Sequence, residues 1–305
     1  MIPIGLYESA IFDTIKNGAT VISDDVRAAF HRGIEKDASA TSRLGLEKTL
    51  KSIELSVRKN NPACPDTGWP LFYYKIGNDC LIEGGIIELE AATRRAVAKA
   101  TGQGYLRATM KHPLTGYDPG NNIGENIPYF TYKFVSGGNL ELTYVAKGGG
   151  SECFGGTRYR MIAFADGTAG IKKFILDSYI DATRSGGICP PSILGIGIGG
   201  TMNIAASLAK EASCLRIIGS KHPEPMIAAL EESIFKAINS LGIGTMGFGG
   251  DTSVFGVNVE YAFTHIAGIA VAMSCNCMVA RRATSRILAN GTVQVLQSPN
   301  WFGAR

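Results

Sequence analysis

The first sixty residues carry apolar side chains at three- and four-residue steps, which predicts helices and not strands. Ser23-Asp24-Asp25 can cap a helix running to about Lys36. Ser42 can cap a second, from Leu44 to about Lys59, on the apolar positions Leu46, Leu50, Ile53 and Leu55. The pattern then changes period. Leu71–Ile76 is aromatic and branched, as a strand requires, and Ile86–Ala100 returns to helical spacing. That helix is acidic at its start, basic towards its end, and closed by Gly102. Tyr105–Pro128 is rich in loop formers. Tyr129–Val135 and Leu140–Ala146 read as paired strands around the turn Ser136–Asn139.

Further on, Gly170–Ser185 reads as a helix, Ile193–Ile198 as a buried strand, Met202–Ala212 as a helix and Leu215–Ile218 as a short strand. Pro225–Leu241 has proline in its first turn, and Ile227, Leu230, Ile234, Ile238 and Leu241 form one apolar stripe. Val254–Val259 and Ile266–Ser274 complete the expected strands. No repeat or linker composition interrupts the chain. The expectation is one mixed α/β domain over residues 1–305, mainly helical over 1–60, with a mixed sheet and flanking helices over 61–290.

With 305 residues, 45% hydrophobic and 18% charged, the chain has the composition of a compact globular protein. The net charge of +4 is dispersed, with no basic run or RNA-binding aromatic motif, which argues against a nucleic-acid partner. No secretory leader and no bilayer-length apolar run is visible, so membrane insertion is not expected. Seven cysteines, an odd number without an export signal, suit reduced thiols in the cytoplasm.

Candidate chemistry is concentrated where cysteine meets proline. In Asn60-Asn-Pro-Ala-Cys64-Pro-Asp66-Thr-Gly68 the prolines and glycine exclude regular structure, so Cys64 is held on a fixed turn with a carboxylate two residues on. A second pair, Cys189-Pro190, follows 125 residues later, and Cys277 stands 88 residues beyond that. Such spacing fits neither a zinc ribbon nor a ferredoxin run; only the tertiary fold could gather these thiolates. Three thiolates on a [4Fe–4S] cluster would leave one iron open as a Lewis acid, suited to hydration or dehydration of a hydroxy acid.

These segments, together with Lys147-Gly-Gly-Gly-Ser151, Gly199-Gly200-Thr201 and His265, resemble in order the class I iron–sulfur fumarases and L-tartrate dehydratases. The resemblance, over roughly residues 45–290, is to their cluster-binding α subunit or N-terminal domain, and implies that domain's fold. It implies cluster ligation by Cys64, Cys189 and Cys277, with one open iron. Cys277 is chosen over Cys275 for its spacing of twelve residues after His265 and four before Arg281. It implies Asp66 and His265 as a general acid pair, and Arg107, Lys147, Gly149 and Gly150 at the carboxylates of a small dicarboxylate substrate. Pro65 departs from the family, which usually has glutamine there, and that departure bears on the substrate. The family takes its catalytic base, a threonine, from a Gly-Pro-Thr-Thr-like segment that this chain lacks. A separate β subunit is therefore expected, in a dimer or α2β2 heterotetramer.

Two other readings compete. Gly195-x-Gly197-x-x-Gly200 fits a dinucleotide fingerprint between a strand and a helix, but Lys221 stands near where an acidic residue should close the next strand. A non-catalytic cluster protein would need a fourth cysteine, from Cys80, Cys153, Cys214 or Cys275. The Lys147 loop is no Walker motif, because its lysine precedes the glycines.

Overall fold

The computed structural model describes residues 1–303 of the chain and has the expected mixed α/β character. In chain order its elements are α1 (Ile4–Thr20), α2 (Asp24–Lys36), α3 (Ala40–Lys59), β1 (Trp69–Gly77), α4 (Gly85–Gly102), β2 (Tyr129–Val135) and β3 (Leu140–Lys147). There follow α5 (Gly149–Cys153), β4 (Thr157–Ile162), α6 (Gly167–Arg184), β5 (Ser192–Ile198), α7 (Met202–Leu215) and α8 (Pro225–Asn239). The last strands are β6 (Val254–Tyr261), β7 (Ile269–Asn276), β8 (Arg281–Ile287) and β9 (Val293–Leu296).

The residues group into two compact units, each discontinuous in sequence. The first comprises Met1–Asp24, Ser52–Lys147 and Arg281–Trp301; the second is built mainly from Asp25–Lys51 and Gly148–Ala280. Each has its own sheet, where the sequence reading expected one.

In the first unit five strands lie in the order β2-β1-β3-β8-β9, with β1 and β2 parallel and the rest antiparallel. Tyr7, Ile11 and Ile15 recur along one face of α1, and Leu89, Ala96 and Val97 along one face of α4. Both stripes share a core with Phe72, Tyr74, Leu140, Leu142 and Tyr144. Burying each large apolar side chain stabilises the unit by about 1.5–3 kcal/mol. β2 and β3 exist as expected but do not pair, because β1 lies between them. The Ser136–Asn139 connection crosses the end of β1 instead, where Gly77 N–H donates to Asn139 O and Asp79 N–H to Gly137 O.

In the second unit the order is β4-β7-β5-β6, with β5 and β6 parallel and β7 antiparallel to both its neighbours β4 and β5. Side chains alternate across β5 as a strand's period of two demands. Leu194 and Ile196 join a core with Ile175 and Tyr179 of α6 and with Ile234 and Ile238 of α8. Gly195 and Gly197 face α7, which packs so closely that a Cβ on either would collide with the carbonyl oxygens of Ala209 and Ala205. The fingerprint glycines therefore serve helix-on-strand packing. That accounts for the motif without a dinucleotide.

Other local expectations shift. Ser42 lies inside α3 and donates from its hydroxyl to Asp37, 2.8 Å away. Leu215–Ile218 is not a strand. α7 runs to Leu215 and a turn follows, because the Arg216 side chain, 1% exposed, is drawn inward to Glu260 (2.8 Å) and Glu231 (3.3 Å). β4, β8 and β9 had no strand-like signal: β8 reads Arg281-Arg-Ala-Thr-Ser-Arg-Ile287, a polar run that the fold nonetheless buries. Among the described residues no helix is long and apolar enough to cross a membrane.

Candidate active site

The Cys64 loop belongs to the first unit. It leaves α3 at Asn60, is pinned to the end of α1 by Ala63 N–H donating to Ala19 O (2.9 Å), and enters β1 at Trp69. Asp66 Oδ1 accepts from Gly68 N–H at 3.1 Å, a turn that needs the positive φ of 69° found at Gly68. Thr67 is buried, and its hydroxyl oxygen accepts the amide of Arg107 at 3.0 Å. The Arg107 guanidinium donates in turn to the Pro65 carbonyl, also at 3.0 Å. Cys64 and Asp66, both half-buried, thus share one surface with exposed Arg107 across more than forty residues of chain. Pro65 contributes its carbonyl where a glutamine would offer a side chain.

Sequence reasoning missed the residue that holds this arrangement. Asn122 is 1% exposed and adopts φ 60°; its Oδ1 accepts the amides of Thr109 (2.9 Å) and Met110 (3.2 Å). Its Nδ2 donates to Arg107 O (2.7 Å) and Thr101 Oγ1 (3.1 Å). All four hydrogen-bonding positions of the amide are used. The signal in the sequence was the Gly120-Asn-Asn-Ile-Gly124 run, which marked a turn but not which asparagine turned inward.

Cys189 and Cys277 belong to the second unit, and the sheet brings them to one end. β7 runs antiparallel to β5 with Ile193 opposite Asn276, so the residues before β5 and those after β7 meet there. Met278 N–H donates to Cys189 O at 3.1 Å. Strand alternation separates the two candidate thiols of β7. Cys275 points into the core at 0% exposure, whereas Cys277, past the strand's last residue, is half-buried. Under this end the Tyr179 hydroxyl bonds Ser253 O (2.7 Å) and Ser192 Oγ (2.9 Å). Burial, and after it the nearby Cys275 and Cys277 thiols, pushes that phenol well above its ordinary range.

The glycine loop after β3 is ordered as α5, with the Ser151 hydroxyl donating to Gly148 O at 3.0 Å. A Cβ at Gly150 would collide with the Gly187 carbonyl, so the backbone of α5 lies against the turn that leads into Cys189. Gly150 is accordingly placed beside Gly187, two residues before Cys189. Lys147, 1% exposed, ends β3 in the first unit, opposite Trp69.

His265 is placed differently. It sits, exposed, on the loop between β6 and β7, at the other end of the same sheet, where Ile198 pairs with Tyr261 and Val271. The seven residues of β5 span about 20 Å between the two ends. The imidazole Nδ1 accepts Ala267 N–H at 3.1 Å, which leaves the proton on Nε2 in the neutral ring.

All seven cysteines are thiols. Among the described residues no three His, Cys, Asp or Glu side chains are grouped tightly enough to hold a single metal ion. A cluster makes a different demand, since its thiolates ligate separate irons. Half-buried Cys64, Cys189 and Cys277, each on an irregular segment and two of them followed or preceded by fixed backbone, have the donor chemistry and access for that. Three of the four spare cysteines fit less well: Cys214 and Cys275 are sealed in the core, and burial raises the Cys80 thiol above its ordinary value, while Cys153 on α5 is exposed. A cavity of about 420 Å³ in the second unit, lined by Arg32, Lys221, Phe235 and Asn258 among others, includes none of the expected site residues.

Comparison with known proteins matches residues 8–286 to a family model described as fumarate hydratase (Fumerase). A Methanocaldococcus jannaschii protein named "Putative L(+)-tartrate dehydratase subunit alpha" is 35% identical over 279 residues, which cover 91% of this chain and 96% of that one. The L(+)-tartrate dehydratase subunit alpha of an Escherichia coli strain is 32% identical, and that of Shigella sonnei 31%, each over 91% of this chain and 89% of the relative.

Proposed function

Because the chain belongs to the fumarate hydratase (Fumerase) family, we propose that it is the cluster-binding α subunit of a hydro-lyase acting on a 2-hydroxydicarboxylate of the malate or tartrate type. Cys64, Cys189 and Cys277 would hold a [4Fe–4S] cluster. The observation that carries this reading is the pairing of Cys189 with Cys277. Residues 88 apart in sequence meet at one sheet end through Met278 N–H and Cys189 O, while Cys275 is turned away into the core. Bound there, the cluster supplies a Lewis acid for the departing hydroxyl.

The remaining chemistry falls to side chains and amides. Arg107 has five N–H donors, of which the Pro65 carbonyl takes one, and it binds one substrate carboxylate. Lys147 and the Gly149 and Gly150 amides hold further carboxylate oxygens, where charge builds as the C3 proton leaves. Asp66 hands a proton to the leaving oxygen; His265, at the opposite end of β5 from Cys189 and Cys277, is not given a part in that step. The base that removes the C3 proton comes from a β subunit, as the naming of the relatives as alpha subunits supports. On this reading the assembly is a dimer or an α2β2 heterotetramer in the cytoplasm.

The test is anaerobic reconstitution of the chain with a β subunit of the same family, followed by assay on L-malate, fumarate and L(+)-tartrate. Expected are EPR and absorbance of a [4Fe–4S] cluster and turnover of one of these acids. Full turnover by a Cys277→Ser protein would refute the ligand assignment.

A further inference from the structure

We infer that the cavity of about 420 Å³ beside β6 binds a small organic phosphate with a flat ring, of which a nucleoside monophosphate is the common form. The inference stands apart from the hydro-lyase reading. Every residue lining the cavity belongs to the second unit, so the site is complete within that unit. Its volume lies in the range of small-molecule sites, about 300–1,000 Å³.

One wall is a strand edge left open. β6 is last in its sheet, so only its β5 side is paired. Val259 N–H points away from β5 and donates to Glu231 Oε1 at 2.8 Å. Strand alternation turns Val257 the same way. Val257 is 6% exposed and lines the cavity, and its outward N–H and C=O have no partner among the described residues. Buried backbone donors and acceptors are almost always paired, so this edge calls for a ligand that offers an acceptor and a donor side by side. Nucleobases carry such edges. Flat apolar surface adjoins it. Phe255 is held by the Phe30 ring at 5.0 Å between centroids, and α8 turns Ala228, Glu232 and Phe235 to the cavity at steps of four and three. Ala228, being small, leaves room for a ring.

The charge at the mouth selects the other end of the ligand. The turn after α7 is pinned to α2 by Ile218 N–H donating to Asp25 Oδ2 at 2.9 Å. Arg32 of α2 reaches over it, with Nη2 3.7 Å from where a Cβ on Gly219 would stand, and Lys221 lies two residues on. Neither cation has an ion-pair partner among the described residues. Both carboxylates of the lining are engaged: Glu231 by Arg216, His222 N–H and Val259 N–H, and Glu232 by Lys236 at 3.1 Å. Two uncompensated positive charges match a phosphate monoester, which carries about −1.5 to −2 at pH 7, better than a carboxylate.

Calorimetric titration of AMP, GMP, CMP and UMP into the full chain, reconstituted with a β subunit of the same family, tests this. At least one should saturate a single site per chain with Kd below about 100 μM. Inorganic phosphate and the matching nucleoside should each bind at least about tenfold more weakly, since each fills only half of the site. Arg32→Ala and Lys221→Ala change exposed side chains, so the cluster absorbance should stay unaltered while each weakens binding about tenfold, as loss of a charge-assisted hydrogen bond does. Arg107→Ala should leave nucleotide binding unchanged. Four results overturn the inference: no binding of any of the four nucleotides, inorganic phosphate binding as tightly as they do, binding indifferent to the Arg32→Ala, Lys221→Ala double variant, or binding abolished by Arg107→Ala. Binding is read without turnover. A chain that turns over none of the dicarboxylates therefore fails the functional reading alone, and the titration still decides this one.

Discussion

The two cysteine-bearing regions are built by opposite means. Around Cys64 the backbone is irregular and side chains hold it: Asp66 closes its own turn, Thr67 receives Arg107, and Asn122 ties residues 107–110 together. Around Cys189 and Cys277 the Tyr179 hydroxyl braces Ser192 and Ser253, but backbone pairing does the placing. Register between β5 and β7 sets the positions, and the backbone of α5 fits against Gly187 only because Gly150 has no side chain. One region is specified by hydrogen-bonding groups that single substitutions can remove in graded fashion. The other is specified by shape, and it should fail abruptly.

The sharpest break comes at the thiols of β7. Cys277→Ser should lose the cluster and cut activity by two orders of magnitude or more, whereas Cys275→Ser, two residues earlier, should keep both. The latter places a hydroxyl in an apolar core and is expected to cost about 1–3 kcal/mol. Iron content and urea denaturation of the two proteins measure the contrast. Equal cluster loss would mean that strand alternation does not separate the two roles.

Next in size is Gly150→Ala. The added methyl group meets a backbone carbonyl that cannot rotate away, so α5 or the Gly186–Cys189 turn must move, at about 1–3 kcal/mol. Reconstituted cluster should fall severalfold, as read by absorbance per chain. A side-chain substitution in the first unit behaves otherwise. Asn122→Ala leaves the buried amides of Thr109 and Met110 without acceptors, at about 1–3 kcal/mol, and frees the Arg107 segment. KM for the dicarboxylate should rise about tenfold with cluster content unchanged, since Arg107 holds substrate and not iron.

The same division explains what the sequence made legible. Helices α2, α3, α4, α6, α7 and α8 and strands β1, β5 and β6 follow from apolar periodicity, which is local. The cysteine–proline loops stood out because proline and glycine punctuate the chain visibly, whereas Arg107 was implied only by the family resemblance. What stayed hidden is non-local. The insertion of β1 between β2 and β3 depends on which strand the chain passes over. β8 is buried despite three arginines, because Arg286 pairs with Glu141 (2.8 Å) and Thr284 bonds Thr143 (2.8 Å) across the sheet. The separation of His265 from Cys277 is a matter of direction: twelve residues look close in sequence, and an extended strand makes them far apart.

The smallest effect tests whether a side-chain network in the second unit obeys the logic of the first. Asp37 is 1% exposed, so burial by itself would raise its carboxyl, but donors outweigh that. The Ser42 hydroxyl (2.8 Å) and the amides of Ser39 (2.9 Å) and Thr252 (2.9 Å) all point at it, and the net shift is downward. A folded-state value below the unfolded one means that the ionised form favours folding. The contribution is fully present above the ordinary carboxylate range near pH 4 and is lost as pH falls through the lower folded value. Wild type should therefore be more stable than Asp37→Asn at pH 7, and the gap should narrow on acidification. Paired urea titrations at pH 7 and pH 3 read the difference directly. A gap that stays constant with pH would mean that the donors support Asp37 no better than they support a neutral amide, and that shape, as at Gly150, holds this corner too.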